Sequence, residues 1–152
     1  METNAKLQAQ GIALLRISLG AMFLAHSVIL KHFQYTLPGT AAYFGSIGLP
    51  SGLAYVVFAA EVIGGLLLIA GIGTRLVSLA LTPILLGALW VHAGNGWVFT
   101  SPNGGWEYPL YLFVLCIAQA LLGSGAYALR VPDAGRGRKA PWPGRTAPAS
   151  SR

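Results

Sequence analysis

Four long apolar segments dominate the chain and predict its helices. They cover residues 11–30, 53–72, 76–93 and 109–128. Each segment approaches the roughly 20 residues with which an α-helix crosses a hydrocarbon core of about 30 Å. Glu61 interrupts the second segment, but its aliphatic neighbours offset the cost of about 3 kcal/mol for a central carboxylate. The pattern therefore predicts an all-α, polytopic membrane protein with a bundle of four transmembrane helices.

The composition agrees with lipid as the solvent. Hydrophobic residues make up 55% of the chain and charged residues 9%, whereas soluble chains carry about 25% charged residues. The first segment follows a basic residue, as the apolar part of a signal peptide does, but no A-x-A site ends it, so we expect an uncleaved helix. The single cysteine, Cys116, excludes an intramolecular disulfide and a CxxC motif.

The basic residues predict the orientation of the helices. Lys6, Arg16 and Arg75 lie before the first segment, at its start, and in the turn between the second and third segments. Six more lie in the last part of the chain: Arg130, Arg136, Arg138, Lys139, Arg145 and Arg152. The positive-inside rule then places both chain ends in the cytoplasm. The sequence predicts no folded surface on which basic and aromatic residues are interleaved, so we expect the partner to be the lipid bilayer and not a nucleic acid.

The two outer loops and the last part of the chain differ in composition from the apolar segments. Residues 131–152 are rich in Pro, Gly, Ala, Ser and Arg, which predicts a disordered basic tail. With both chain ends in the cytoplasm, the loop between the first and second segments faces outward. This first outer loop is apolar around residues 37–49, which favours a short re-entrant or interfacial helix. The second outer loop contains an aromatic cluster typical of a membrane interface, namely Trp97, Phe99, Trp106 and Tyr108.

Ionisable residues inside the apolar segments are the first candidates for a functional site. Glu61 is central in the second segment, and positions 61, 64, 65 and 68 share one helical face on which two glycines allow close helix packing. Arg16 lies one to two helical turns away from Glu61 in depth. Two interpretations remain open: a structural Arg16–Glu61 pair or two locally bonded residues, and a carboxyl group that binds a ligand or moves a proton.

Two histidines lie near the outer ends of their segments. His26 and His92 have matching depths, and Glu107 follows just outside the fourth segment. They are either interfacial residues with backbone partners, or part of a polar pocket that bonds a quinone carbonyl or relays protons, or ligands of haem or a metal. No HExxH or CxxCH spacing is present, so we predict no metal site and favour a quinone over haem as cofactor. Cys116 and Gln119 share a face with Gly123, which favours helix packing.

An ordered set of motifs resembles the DoxX family of bacterial inner-membrane proteins. The motifs are LLRISLGAMFLAHSVILKHF, FGSIGLPSGLAY, AAEVIGGLLLIAGIGTRL and VHAGNGWVFTSPNGGWEYPL. The resemblance implies a four-helix protein of the bacterial inner membrane, with relatives linked to quinone-coupled oxidation or to soluble detoxifying enzymes. It also implies a set of recurring polar positions: Arg16, Lys31, Glu61, Arg75, His92 and Glu107.

Three functions follow as hypotheses. The first is a redox-associated membrane subunit that binds a quinone, with Glu61 and His92 handling protons and Arg16 balancing the charge of Glu61. Its electron carrier would belong to a membrane redox partner. The second is a non-catalytic scaffold that docks a soluble partner, and the third is a small transporter that requires a homo-oligomer. The sequence contains no complete catalytic set, so whether the protein is an enzyme stays open.

Overall fold

All secondary structure in the described part of the chain is helical. The computed structural model describes residues 2–129, and the predicted tail 131–152 lies outside them. Six helical elements follow one another in this range: α1 (Glu2–Leu24), a π-helix (Ala25–Gln34), α2 (Leu37–Ser46), α3 (Leu53–Ala70), α4 (Thr74–His92) and α5 (Glu107–Leu122). No strand occurs among these residues, so the all-α prediction is confirmed for them.

The first helix is longer than the apolar pattern predicts. α1 begins at Glu2 and continues without a break into the π-helix, which ends at Gln34. The N–H of Tyr35 donates to the carbonyl of Leu30, five residues earlier, at 2.9 Å. This i→i+5 pattern defines a π-helix, a rare element that occurs mostly at functional sites.

A short helix in the first loop confirms the helical expectation for residues 37–49. α2 begins after Thr36, whose side chain accepts the N–H of Gly39 at 3.1 Å. Pro38 lies in its first turn, where the missing N–H costs no intrahelical bond. The helix therefore has a local N-terminal signal that the apolar pattern alone does not contain.

Helices α3 and α4 form a hairpin around a very tight turn. Gly71 and Gly73 have φ values of 75° and 56°, a left-handed conformation that favours glycine. Only three residues separate the helices, so α4 runs back along α3. Pro83 lies inside α4, as membrane helices tolerate.

The last helix is shorter than predicted. The pattern predicts a helix over 109–128, whereas α5 ends at Leu122 before Gly123, which has φ 87° and ψ −154°. The following residues return to the bundle, because Ala126 N–H donates to Ala9 at 2.8 Å and Leu129 N–H to Ala70 at 2.9 Å. These backbone bonds replace the helical ones that the prediction assumed.

The helices pack as neighbouring antiparallel pairs. The main contacts join α1 with α3, α3 with α4, and α4 with α5. α1 and α3 cross most closely at Gly20, where a Cβ would lie 2.6 Å from the carbonyl oxygen of Gly65. We call the side where α1 begins and α5 ends the termini end, and the side of the two long loops the loop end. An apolar cluster fills the middle: Leu19, Phe23, Leu68, Leu81, Leu85, Leu112 and Cys116.

The polarity of the molecule is inverted relative to a soluble protein. Arg16, Ser78 and Gln119 are fully buried, whereas large apolar side chains are exposed along the helices, among them Leu14, Val56, Ile63, Leu66, Leu76, Leu86, Val114 and Leu121. Three helices are long and apolar enough to cross a membrane, namely Thr3–Gln34, Leu53–Ala70 and Thr74–His92, and α5 is a shorter apolar helix. This distribution is the one that lipid, as the surrounding solvent, stabilises.

Candidate functional site

An ion pair between Lys31 and Glu61 lies inside the bundle towards the loop end. The Nζ of Lys31 donates to Oε2 of Glu61 at 2.5 Å. The Lys31 side chain is 19% exposed and the Glu61 side chain 6%. Glu61 shares its buried face with Gly64, Gly65 and Leu68, as the helical spacing predicts. A carboxylate this far from water needs a charged partner, and Lys31 is that partner.

The π-helix explains why Lys31 reaches Glu61. Each i→i+5 turn takes up more residues than an α-helical turn, so the side chains after Leu24 rotate around the axis relative to an α-helix. Ser27 is buried at the start of this segment and donates to the carbonyl of Phe23 at 2.7 Å. Thr40 of α2 lies 3.4 Å from the carbonyl of Lys31. The π-helix and α2 therefore position Lys31 together.

Arg16 does not pair with Glu61, so that interpretation is wrong. Arg16 donates through Nη1 to the carbonyls of Leu68 and Ile69 at 2.8 and 2.9 Å, and through Nη2 to Ala126 at 3.0 Å. The guanidinium thus caps the carbonyl end of α3, where the helix dipole favours a cation. These carbonyls belong to α3 and to the segment after α5, so Arg16 is not bonded within its own helix either.

His26 lies beside the ion pair and stacks on a tyrosine. The ring of His26 is 5.3 Å from the ring of Tyr108, with 21° between the planes. Its Nδ1 donates to the carbonyl of Met22 at 2.9 Å, because a carbonyl can only accept. In the neutral ring, Nε2 then carries the free lone pair.

Tyr108 lies between the His26 ring and the surface of the bundle. Its ring lines a shallow groove of about 390 Å³ on α5, together with Trp97, Glu107, Leu110, Tyr111 and Val114. The hydroxyl of Tyr108 is buried and has no hydrogen-bond partner among the described residues. An unpaired buried hydroxyl is costly, so it marks a place where a polar group of a ligand would be stabilised.

His92 organises the second long loop. Its Nδ1 lies 3.0 Å from the carbonyl oxygens of both Asn103 and Gly104, so this nitrogen carries the proton. Asn95 donates to the same two carbonyls at 3.1 and 3.0 Å. Its amide is also 3.4 Å from His92 Nδ1, but two donors do not form a bond. His92 is thereby bound to the loop backbone.

Glu107 has a similar role at the start of α5. Its Oε1 accepts the N–H of Phe99 at 2.9 Å. Its own N–H donates to the carbonyl of Trp97 at 3.0 Å. The carboxylate also lies in the first turn of α5, where the helix dipole favours a negative charge.

The predicted candidates thus fall into separate places. Glu61 pairs with Lys31, His26 stacks on Tyr108, Arg16 lies towards the termini end, and His92 and Glu107 hold the loop. No hydrogen bond in residues 2–129 joins His92 to Glu61. Lys31 was named only as a recurring polar position of the family and not as the partner of Glu61, and Tyr108 was predicted only as part of an aromatic interface belt. Groups of three or more His, Cys, Asp or Glu side chains that could hold a metal are absent from the described residues.

The comparisons with known proteins agree with this architecture. The family model described as DoxX matches residues 11–94, which include Arg16, Lys31 and Glu61. The chain is also 39% identical over 120 residues to a protein of Bacillus subtilis (strain 168) named "Putative oxidoreductase CatD". That alignment covers 78% of this chain and 84% of the relative. No solved structure matches the chain.

The matched region supplies most of the fold. Residues 11–94 contain most of α1, the π-helix, and α2 to α4, and hence both partners of the Lys31–Glu61 ion pair. The relative extends the similarity to 120 residues. On this evidence the chain is a membrane protein that belongs to the DoxX family.

Proposed function

We propose that this protein is a redox-associated subunit of the bacterial inner membrane that binds a quinone at its loop end. Its part in the reaction is to hold the ring and to exchange protons with it. A partner protein supplies the electrons, because the proposed site contains only proton donors and acceptors. The oxidoreductase name of the Bacillus subtilis relative supports a redox role.

The proposed topology has four membrane spans with the termini end in the cytoplasm. α5 is the fourth span, although its 16 residues extend only about 24 Å. It packs closely on α4 and directs Tyr111, Val114 and Leu121 outward, which supports lipid contact along its length. Lys6 and Arg75 at the termini end support the orientation through the positive-inside rule.

The observation that carries the proposal is an aromatic groove whose lining tyrosine stacks on a partly buried histidine. Tyr108 lines the groove, and its ring is stacked on the ring of His26. The Lys31–Glu61 ion pair lies towards the same end of the bundle. A quinone ring fits the aromatic groove, and the buried Tyr108 hydroxyl can donate to one of its carbonyl oxygens.

The chemistry requires this proximity of proton carriers to an apolar groove. Reduction of a quinone to a quinol consumes two electrons and two protons, so each carbonyl oxygen becomes a hydroxyl. Tyr108 polarises the carbonyl oxygen that it contacts. The Nε2 lone pair of neutral His26 can take up a proton from water and give it back, so this ring can hold one proton close to the groove. The two protons of the quinol come from water at the open groove, and the two electrons come from the partner protein. Oxidation of the quinol releases the same two protons and two electrons.

A binding experiment tests the proposal. The full-length protein in lipid nanodiscs is titrated with a short-chain quinone, and tryptophan quenching is followed, because Trp97 lines the groove. We expect saturable quenching in the wild type. Tyr108→Phe should bind about tenfold more weakly, which corresponds to one lost hydrogen bond of about 1.4 kcal/mol.

The matched control is Tyr111→Phe. Tyr111 lines the same groove but its side chain is mostly exposed, so this variant should bind within about twofold of the wild type. Absence of saturable quenching in the wild type would overturn the proposal. Equal effects of the two tyrosine variants would show that the Tyr108 hydroxyl does not contact the ligand.

A further inference from the structure

Four polar side-chain atoms at the termini end are buried without a hydrogen-bond partner in the described chain. They are Arg16 Nε, Thr74 Oγ1, Ser78 Oγ and Gln119 Oε1. None of the four residues is more than 1% exposed. An unsatisfied polar group in the hydrocarbon region costs several kcal/mol, so four in one region require an explanation.

The contacts between α4 and α5 bring Ser78 and Gln119 to the same depth. The guanidinium of Arg75 lies against Gly123, where a Cβ would be 3.3 Å from its Nε. The helices are antiparallel, so counting from this contact along both puts Ser78 level with Gln119. Both side chains are fully buried between the helices.

The contacts of α3 place Arg16 and Thr74 close to the depth of Ser78 and Gln119. Gly64 lies against Leu81, and Arg16 reaches the carbonyls of Leu68 and Ile69. Counting along α3 and α4 from the Gly64 contact puts the Arg16 guanidinium between the levels of Thr74 and Ser78. The four atoms therefore lie within about one helical turn of one another in depth, inside the bundle.

The Ser78 hydroxyl lacks a bond that several hydroxyls in the helices make. Ser27, Thr40, Ser46 and Thr82 each donate to a carbonyl three or four residues earlier in the chain. This back-bonding is the usual way for Ser and Thr to satisfy themselves inside a helix. Ser78 lies inside α4 and makes no such bond, so its hydroxyl is free for another partner. Thr74 is the first residue of α4, where no preceding helical turn offers a carbonyl.

The mixture of donors and acceptors identifies the ligand. Arg16 Nε–H can only donate, Gln119 Oε1 can only accept, and the hydroxyls of Thr74 and Ser78 can do both. An anion at this site would be repelled by the Gln119 oxygen, and a cation would be repelled by the positive charge of Arg16. A neutral ligand that both donates and accepts hydrogen bonds, such as water, suits all four atoms. Gln119 cannot rotate its amide, because its Nε2 donates to the carbonyl of Gly123 at 2.6 Å.

We propose that the termini end encloses a hydrated site in which water molecules bridge Arg16, Ser78, Thr74 and Gln119. Buried water in proteins makes about three hydrogen bonds to such groups. The site brings water to the level of Leu68, seven residues or about 10 Å along α3 from Glu61. The apolar cluster separates this water from the ion pair. The site does not depend on quinone binding.

Water-edited solid-state NMR of the full-length, isotope-labelled protein in liposomes tests the proposal. Magnetisation is transferred from water, and its build-up is measured at Arg16 Nε–H, which is assigned by correlation to the Arg16 backbone. We expect build-up at least about tenfold faster than at the backbone amide of Leu112, which lies in the apolar cluster seven residues or about 10 Å along α5 from Gln119. Build-up no faster than at Leu112 would overturn the proposal.

Two variants strengthen the test. Ser78→Ala removes one bridging hydroxyl, so water transfer to Arg16 Nε–H should fall severalfold. Thr82→Val is the matched control, because Thr82 lies on α4 but donates to Leu79 on an exposed face. An equal loss in both variants would also contradict the site. The decisive comparison uses the wild-type protein, so a variant that does not fold leaves the proposal open to refutation.

Discussion

The Lys31–Glu61 ion pair should dominate the response of the loop end to mutation. Lys31→Met keeps the apolar stem of the side chain but leaves the Glu61 carboxylate buried without its partner. Removing one partner of a fully buried pair costs about 3–5 kcal/mol. The Lys31 side chain is still 19% exposed, so we expect the free energy of unfolding to fall by about 2–4 kcal/mol.

A double-mutant cycle separates the ion pair from packing. Glu61→Leu alone should also destabilise, because Lys31 then lacks its carboxylate. The double variant should cost less than the sum of the two single changes, with a coupling energy of about 1–3 kcal/mol. Arg16→Met provides the control cycle with Glu61→Leu. Arg16 binds carbonyls about 10 Å along α3 from Glu61. The effects of Arg16→Met and Glu61→Leu on the free energy of unfolding should therefore be additive within about 0.5 kcal/mol.

The assay is reversible unfolding of the full-length protein in bicelles, followed by circular dichroism during a titration with a denaturing detergent. Each variant is compared at the same neutral pH. A coupling energy between Arg16 and Glu61 as large as that between Lys31 and Glu61 would refute the described pairing. The result would then favour the arrangement that the apolar pattern alone predicts.

Two further predictions concern helix packing and the outer loop. Gly20→Ala should lower the free energy of unfolding by about 1–3 kcal/mol, because its Cβ would meet the backbone of Gly65. Gly87→Ala meets no atom within 4 Å and should be neutral or stabilising by up to about 1 kcal/mol in the same unfolding assay, so equal losses would contradict the close crossing. His92→Leu should increase protease cleavage in residues 94–106, because it removes the bonds to the carbonyls of Asn103 and Gly104. Unchanged cleavage would show that the loop does not depend on this histidine.

Local sequence patterns determined the helical class and the membrane environment. Long apolar runs predict helices because a chain in hydrocarbon must satisfy its backbone internally. The spacing of Glu61, Gly64, Gly65 and Leu68 also predicted one buried face, which the structure confirms. The motifs predicted the DoxX family, which the matched region confirms. These properties depend on residues close together in the chain.

Helix ends were less predictable than helices. α1 extends through polar residues that make no apolar pattern, and α5 ends six residues before the predicted boundary. The end of α5 depends on backbone bonds of Ala126 to Ala9 and of Leu129 to Ala70. Such bonds join distant parts of the chain, so the apolar content of residues 123–128 could not reveal them.

The partner of Glu61 was decided only by tertiary structure. The comparison of depths in the bundle suggested Arg16 as a partner of Glu61. That comparison assumes that every helix keeps the same number of residues per turn along its whole length. The π-helix rotates Lys31 towards α3, and the carbonyl end of α3 binds Arg16 instead. The sequence by itself determined which segments are apolar and helical. Three-dimensional packing decided which charges meet, since a change of winding in one segment redirects every side chain that follows it.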